Sequence, residues 1–321
     1  MKTDIIDVSI IVPVYNHEEY IEKALRSILS QKVNFNYEVF IGEDFSTDNS
    51  REILKRLEKE FPDNFHFIYR EKNMGAYANI DDLRSRMNGR YFATLEGDDY
   101  WCYENKLQEQ FDILEKNPNY LAVAHNTIVI NKEGNTLHWK YPECKNNIFT
   151  IKDFENDLLP GQTATLLIRN YVKYNLFSTD IEPSKIQGDR KRNFFLFCNG
   201  DIYCIQKNWS CYRLVINSGT SYSATAKKMS AEDELQIYLA MYNYAKKNNI
   251  AEKKFKIIEK KYIYFILKKV LNKEFGFDKL KSSVKNSRYK TGVIFYLFRK
   301  VLERPIEVIK MKSNRKKYYN S

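Results

Sequence analysis

From residue 8 to residue 119 the chain alternates short β-branched runs with stretches of helical period, and few architectures accommodate that alternation. "VSIIVPVYN" is followed by "HEEYIEKALRSILSQ", in which Tyr20, Ile21, Ala24, Leu25, Ile28 and Leu29 recur on one helical face. Asn16 stands where it would cap that helix. The pattern repeats as "EVFIGED" with "STDNSREILKRLEKEF", "FHFIYR" with "YANIDDLRSRM", and "RYFATLE" with "ENKLQEQFDILEKN". Strands and helices in this rhythm require right-handed crossovers, giving an α/β fold with a mostly parallel sheet flanked by helices.

Ligands of such sheets sit beyond the carboxyl ends of the strands. Those ends are Tyr15 and Asn16, Glu43 and Asp44, Arg70 to Asn73, and Glu96 to Asp99, so one rim receives most of the polar side chains. "YFATLEGDDYW" is the sharpest case: an apolar run ends at Leu95 and releases Glu96, Asp98 and Asp99 together. Carboxylates this close repel unless a cation or a donor relieves them. Hard divalent ions take one or two carboxylates plus phosphate oxygens and water, so the stretch suits a Mn2+ or Mg2+ ion completed by a diphosphate. Asp44 is an acceptor able to read a base N–H or a ribose hydroxyl.

Residues 120–225 are less regular. "LAVAHNTIVI" and "QTATLLI" read as strands continuing the sheet and "RNFFLFCNGDIYCIQ" as a helix, in an acceptor-facing half. Beyond residue 225 the chain turns Lys-rich and helical. Residues 241–321 carry 23 Lys or Arg against 6 Asp or Glu, a net of +17, while residues 1–240 carry 29 against 35. Apolar residues recur between the cations of "KKYIYFILKKVLNKEF" and "TGVIFYLFRKVLERPIEVIKMKSNRKK". That composition suits an anionic membrane surface, or equally a helical appendage with a solvated Lys face. Nucleic acid is not expected, since no recognised binding motif accompanies the charge. No apolar run approaches the roughly 18 residues of a membrane span, and the acids Asp4 and Asp7 oppose a secretory leader. Five cysteines without a CxxC pair suit reduced thiols, hence a cytoplasmic chain.

Four segments, "SIIVPVYNHEEYIEKALRSILSQ", "EVFIGEDFSTDNSREIL", "REKNMGAYANIDD" and "GRYFATLEGDDYWCYENKLQEQFDIL", resemble inverting glycosyltransferases of family 2 in order and spacing. The resemblance implies a GT-A type, Rossmann-like mixed sheet over residues 1–225, with residues 1–119 as the nucleotide-sugar half and 120–225 as the acceptor-facing half. Residues 226–321 form the basic helical C-terminal region. It places Pro13, Tyr15 and Asn16 in the nucleotide pocket, Glu43 and Asp44 at the base or ribose, and Asn73, Gly75 and Asn79 in a nucleotide-side loop. Glu96, Gly97 and Asp98 occupy the family's Asp-x-Asp motif, with Asp98 as the metal ligand. The catalytic base of the family matches best at Asp201 in "FCNGDIY", with Asp189 in "QGDRKR" as the rival. Thr163 and Thr165 face the acceptor, and Trp101 has a better claim than Trp139 to stack on a sugar.

This sequence departs from the family at Glu96, where Asp is commoner, at Phe45, where Gly is common, and at Val215 or Asn217, where many members carry a phosphate-contacting His. The QxxRW motif of processive polymerases is absent, which favours transfer of a single sugar. The expected activity is metal-dependent transfer from a nucleotide-diphospho-sugar to a saccharide or lipid-linked acceptor during assembly of a bacterial-type surface polysaccharide. The plainer readings are a solvated turn with Asp99 capping the next helix, an N-cap for Asp44, a surface acid for Asp201, and a non-catalytic nucleotide-sugar binder with a basic tail.

Overall fold

The computed structural model describes residues 5–171, 188–215 and 230–302. They form two compact units, 5–171 with 188–215 and, separately, 230–302. In the first unit the elements are β1 (Val8–Val14), α1 (Ile21–Leu29), β2 (Tyr37–Glu43), α2 (Ser50–Glu58), β3 (Phe65–Tyr69), α3 (Ala76–Ser85), β4 (Tyr91–Thr94) and β5 (Tyr100–Trp101). They continue with α4 (Lys106–Lys116), β6 (Tyr120–Ile130), α5 (Ile151–Glu155), a 3-10 turn (Thr163–Thr165), β7 (Leu167–Arg169), α6 (Gly188–Asn199) and β8 (Asp201–Arg213).

Eight strands make one sheet in the order β3-β2-β1-β4-β7-β6-β8-β5. β1 to β4 pair in parallel, as the alternation requires, and β7 runs antiparallel between β4 and β6. β6 and β8 are parallel and the two-residue β5 is antiparallel to β8, so the sheet is mixed. β1 lies inside the sheet with Val8, Ile10, Ile11 and Val12 wholly buried, which is why it reads as a continuous apolar run. Ile21, Ala24, Leu25 and Ile28 cover one face of it from α1, and Leu54 and Leu57 from α2 join the same core.

Two sequence readings change. Residues 192–206 are not one helix: α6 ends at Asn199, and "DIYCIQKNWSCYR" is the 13-residue β8. Gly200 marks the break, and the β-branched and aromatic residues that follow favour the extended chain. The "QTATLLI" segment is mostly turn, with a strand only over β7, because the Gln162 side chain accepts the Ala164 N–H and caps a 3-10 turn.

The second unit stacks α7 (Ala231–Lys247), α8 (Glu252–Leu271), α9 (Phe277–Lys285) and a helix α10, described over 290–302. Ser230 Oγ caps α7 by accepting the Asp233 N–H, with acids in the first turn and Lys246 and Lys247 in the last, which suits the helix dipole. Leu235, Ile263, Ile266, Leu280 and Val293 meet in its core. No helix among the described residues is long and apolar enough to cross a membrane.

The close approach of α3 to β2 is a requirement on one residue. A Cβ at Gly42 would lie 2.5 Å from Asn79 Oδ1 and 3.0 Å from a Leu83 methyl. Asn79 is itself fixed, donating to the Gly42 carbonyl at 2.8 Å and accepting from Arg70. Gly42→Ala is therefore expected to cost about 1–3 kcal/mol in denaturant unfolding, the range of an overpacked core. An unchanged midpoint would show that the α3–β2 contact yields freely.

Candidate functional site

The parallel strands release their ends on one edge of the sheet, where Pro13, Tyr15, Asn16, Glu43, Asp44, Asn73, Gly75, Glu96, Gly97 and Asp98 come together. Asn16 sits in the left-handed region at φ 57°, which asparagine tolerates, and does not cap α1. α1 starts five residues later, and the Asn16 side-chain oxygen accepts the Thr47 N–H at 2.8 Å instead. Its own N–H reaches Ser46 Oγ at 3.0 Å. The loops after β1 and β2 are thus fastened to each other.

Asp44 is buried and held by a loop 30 residues away. Its two carboxylate oxygens accept the Met74 and Gly75 N–H groups at 2.7 and 2.9 Å, while Asn73 donates to its carbonyl at 3.1 Å. Each oxygen keeps a lone pair for a ligand. Glu43 is differently placed: wholly buried, it accepts the Ser46 N–H at 2.6 Å and pairs with Arg51 at 2.5 Å, so its carboxylate is spent on shaping the loop. Asn79 is likewise committed inside the fold, so its place on the nucleotide side is that of a support for β2.

The acids after β4 are the centre of the site. Asp99, 1% exposed, accepts the backbone N–H of Arg213 at 2.8 Å on one oxygen and Gln162 Nε2 at 3.0 Å on the other. The same Gln162 nitrogen reaches Glu96 Oε2 at 3.1 Å. Asp99 therefore ties β4 to β8 and to the turn before β7, and it caps no helix; α4 begins after Asn105. Burial, then the charges of Asp98 and Glu96, push its carboxyl well above the usual range. Glu96 is pushed up to about 7 by burial first and then by Asp98, with Asp189 adding to the rise and Arg192 opposing it. The Asp98 carboxylate accepts no hydrogen bond from the described residues, while its backbone carbonyl is gripped by Arg213 Nε at 3.1 Å. Gly97 lets this turn lie on His17, because a Cβ there would meet the imidazole Nδ1 at 2.5 Å.

Among the described residues of this turn Asp98 alone presents a carboxylate with no hydrogen bond, and it is close enough for its charge to raise Glu96. Among the described residues no group of three or more His, Cys, Asp or Glu is set to hold an ion by itself. Such a sparse oxygen set fits a Mg2+ or Mn2+ ion that takes its remaining ligands from a diphosphate and water.

Asp201 is not part of this constellation. β8 is parallel to β6, and Asp201 pairs with Tyr120 at the amino-terminal end, whereas Arg213 at the other end binds the acids. Twelve residues of strand separate them, roughly 40 Å at about 3.3 Å per residue. No acceptor hydroxyl at Asp98 could reach Asp201, and the general-base assignment is withdrawn from it. Its rival Asp189, in the first turn of α6, is near enough for its charge to raise Glu96 and the phenols of Tyr141 and Tyr212.

Trp101 is also corrected. It is 3% exposed, its indole N–H donates to the Ala164 carbonyl at 2.8 Å, and the Lys106 ammonium covers its ring 4.0 Å from the centroid, leaving no face for a sugar. Thr165 is wholly buried with its hydroxyl on the Gln162 carbonyl, so it faces no acceptor, whereas Thr163 is only half-buried beside Gln162. The half-buried Trp139 stands edge-on to Tyr141, itself edge-on to Tyr212, an aromatic ledge next to Asp189 and Glu96. Val215 is buried, and Asn217 lies outside the described residues.

Sequence reasoning missed Gln162, Arg192 and Arg213. Arg213 Nη1 donates to the Asn131 and Lys132 carbonyls, and its guanidinium stacks on Tyr20 at 4.1 Å. Arg192 is 5% exposed, and among the described residues its Nη2 has no hydrogen-bond partner, nor has the Nδ2 of the adjacent buried Asn193. Nothing in a lone Gln or Arg announces such a role; the one local signal is the "QT" before a Thr-rich turn, where a polar side chain can cap the backbone.

The model of the family Glycosyl transferase family 2 matches residues 9–174. An uncharacterised protein of Mycobacterium tuberculosis is 34% identical over 176 residues, 55% of this chain and 47% of that one. The putative teichuronic acid biosynthesis glycosyltransferase TuaG of Bacillus subtilis is 38% identical over 107 residues, 33% of this chain and 41% of its own. The chain spans about half the length of the curated relatives it matches. Crystallised S. aureus TarS 1-349 in complex with UDP-GlcNAc superposes with a TM-score of 0.59 at 18% identity, covering 91% of this chain and 80% of that one. That likeness establishes the GT-A-like fold, a mixed sheet with flanking helices.

The raised Glu96 carboxyl has a stability consequence in the metal-free chain. Its folded value of about 7 exceeds the unfolded 4.5, so the folded state binds the extra proton between them. Stability from this group is therefore greatest below pH 4.5 and falls as pH rises through 7. Thermal melts of wild type and Glu96→Gln in chelator should diverge over that window, the variant lacking the decline; parallel curves would mean that Glu96 ionises without penalty.

Proposed function

The chain belongs to glycosyl transferase family 2, and we propose that it transfers a single sugar, with inversion, from a nucleotide-diphospho-sugar to a saccharide or lipid-linked acceptor. The observation that carries this reading is the uncommitted Asp98 carboxylate at the strand-end rim, its turn fixed by Arg213 and flanked by Glu96, with Asp189 alongside. The nucleoside lies in this reading over Pro13, Tyr15 and Asn16, with Asp44 accepting from base or ribose. A divalent ion on Asp98, Mn2+ or Mg2+, would supply positive charge against the leaving diphosphate. Asp189 takes the proton of the acceptor hydroxyl as general base. The acceptor oxygen then bonds to the anomeric carbon as the bond from that carbon to the diphosphate oxygen breaks, and the electron pair leaves with the diphosphate. One displacement through an oxocarbenium-like state inverts the centre.

The donor is read as a UDP-sugar, supported by the fold shared with TarS, which was crystallised with UDP-GlcNAc. The sugar is read as a hexose or hexosamine. The acceptor side is the aromatic ledge of Trp139, Tyr141 and Tyr212 with the half-buried Thr163. Surface polysaccharide assembly is supported by the name of the TuaG relative. The place of action in this reading is the cytoplasmic face of a membrane, where a lipid-linked acceptor is presented and where the basic residues 241–321 suit an anionic surface.

Two variants separate the roles. Purified protein with a panel of nucleotide sugars and Mn2+ should release nucleotide in the presence of acceptor, and Asp98→Ala should abolish metal-dependent donor binding measured by calorimetry. Retained metal-dependent binding in that variant would remove the site. Asp189→Asn should keep donor binding and lose roughly 100- to 10,000-fold in turnover, the scale of a general base, while Asp201→Asn stays near wild type. Loss of turnover in Asp201→Asn alone would reverse the assignment. Donor binding with no turnover on any acceptor would mark a non-catalytic binder.

A further inference from the structure

We propose that the outer face of α10 docks this chain on the headgroups of an anionic phospholipid surface. The helix has two apolar faces. Val293, wholly buried, Tyr296, 4% exposed, and Leu297 pack inward on the core of the second unit. The turn that starts the helix is held by the buried Glu259, which accepts Ser287 Oγ at 2.7 Å and the N–H groups of Arg288 and Tyr289 at 2.9 and 3.1 Å. The helix therefore presents a fixed opposite side, and that side is not polar.

Ile294, Phe295, Phe298, Val301 and Leu302 are 56, 74, 65, 42 and 64% exposed. At about 100° per residue they span an arc of roughly 120°, an apolar stripe of the width that a core-facing helix normally buries. Water is an unfavourable partner for two adjacent phenylalanines and three aliphatic side chains. The charge around them selects the occupant. From Lys279 to residue 302 the chain carries seven Lys or Arg and no Asp or Glu. Lys281, Lys285, Arg288, Lys290 and Arg299 are exposed. A second copy of this face would bring like charge against like charge. An anionic bilayer surface accepts both features at once: apolar rings enter the acyl boundary while the cations meet phosphate groups.

The docking does not depend on the transfer reaction, although it would bring the catalytic unit to a lipid-linked acceptor if the proposed function is right. Because binding is read without donor or acceptor, a failed Asp98 test leaves this test readable, and the reverse holds. The full chain is sedimented with phosphatidylcholine vesicles with and without phosphatidylglycerol. It is expected to sediment only with the anionic vesicles and to be released as salt shortens the screening length. Phe295→Ser with Phe298→Ser should raise the lipid concentration for half-binding by at least about tenfold, the scale expected when interfacial apolar area is lost. Both positions are exposed, and an unchanged circular dichroism spectrum and melting temperature confirm that the variant is folded. The proposal fails if wild type does not sediment, if neutral and anionic vesicles bind alike, or if the double variant sediments like wild type. It fails equally if wild type forms a dimer that the double variant does not and neither binds vesicles, for the occupant is then a second copy.

Discussion

The site depends on how the end of β4 satisfies its acids. A buried carboxylate without donors is a large penalty, and Asp99 offsets part of it by accepting one backbone N–H from β8 and one amide N–H from Gln162. Those two bonds draw together segments 63 and 114 residues away in sequence. They also fix the turn that carries Asp98, because Arg213, whose N–H holds Asp99, holds the Asp98 carbonyl with its guanidinium. A rigid turn with one satisfied acid and one open acid results. The first makes the second geometrically defined.

The parts legible in the sequence were those governed by local period. Apolar runs of β-branched residues separated by helical stretches forced β1 to β4 into parallel register, and parallel register forced Asp44 and the Glu96–Asp99 turn onto one rim. What escaped were decisions made between distant segments. Whether "GDIYCIQ" continues a helix or opens a strand depends on pairing with β6, and that pairing alone decides that Asp201 lies at the far edge. Asp189 and Asp201 are both acids near one helix, and only the sheet direction separates them. Trp101 beside three acids read as a ring for a sugar to stack on, yet Ala164 and Lys106 enclose it. Gln162 could not have been found from residue type, since an amide becomes important only through the acids it bridges.

The charge balance of the site gives its last constraint. Residues 1–240 are net negative, and the rim adds Glu96, Asp98, Asp99 and Asp189, a field that repels a diphosphate. Resident arginine relieves only part of it. Arg213 directs Nε and Nη1 to three backbone carbonyls, so it braces the turn and is not turned toward a ligand. Arg192 keeps a buried N–H without a partner among the described residues, and its charge opposes the rise in Glu96. Two guanidiniums, Arg192 and Arg213, against Glu96, Asp98 and Asp189 leave the rim anionic whenever Glu96 is ionised, even with Asp99 protonated. Under the proposed function a diphosphate would enter with its own cation, and that cation would complete its oxygen set only with the diphosphate present. Binding of the two would then be coupled by electrostatics, and the raised Glu96 carboxyl would add a proton to the coupling, because an ion placed beside it favours the ionised form.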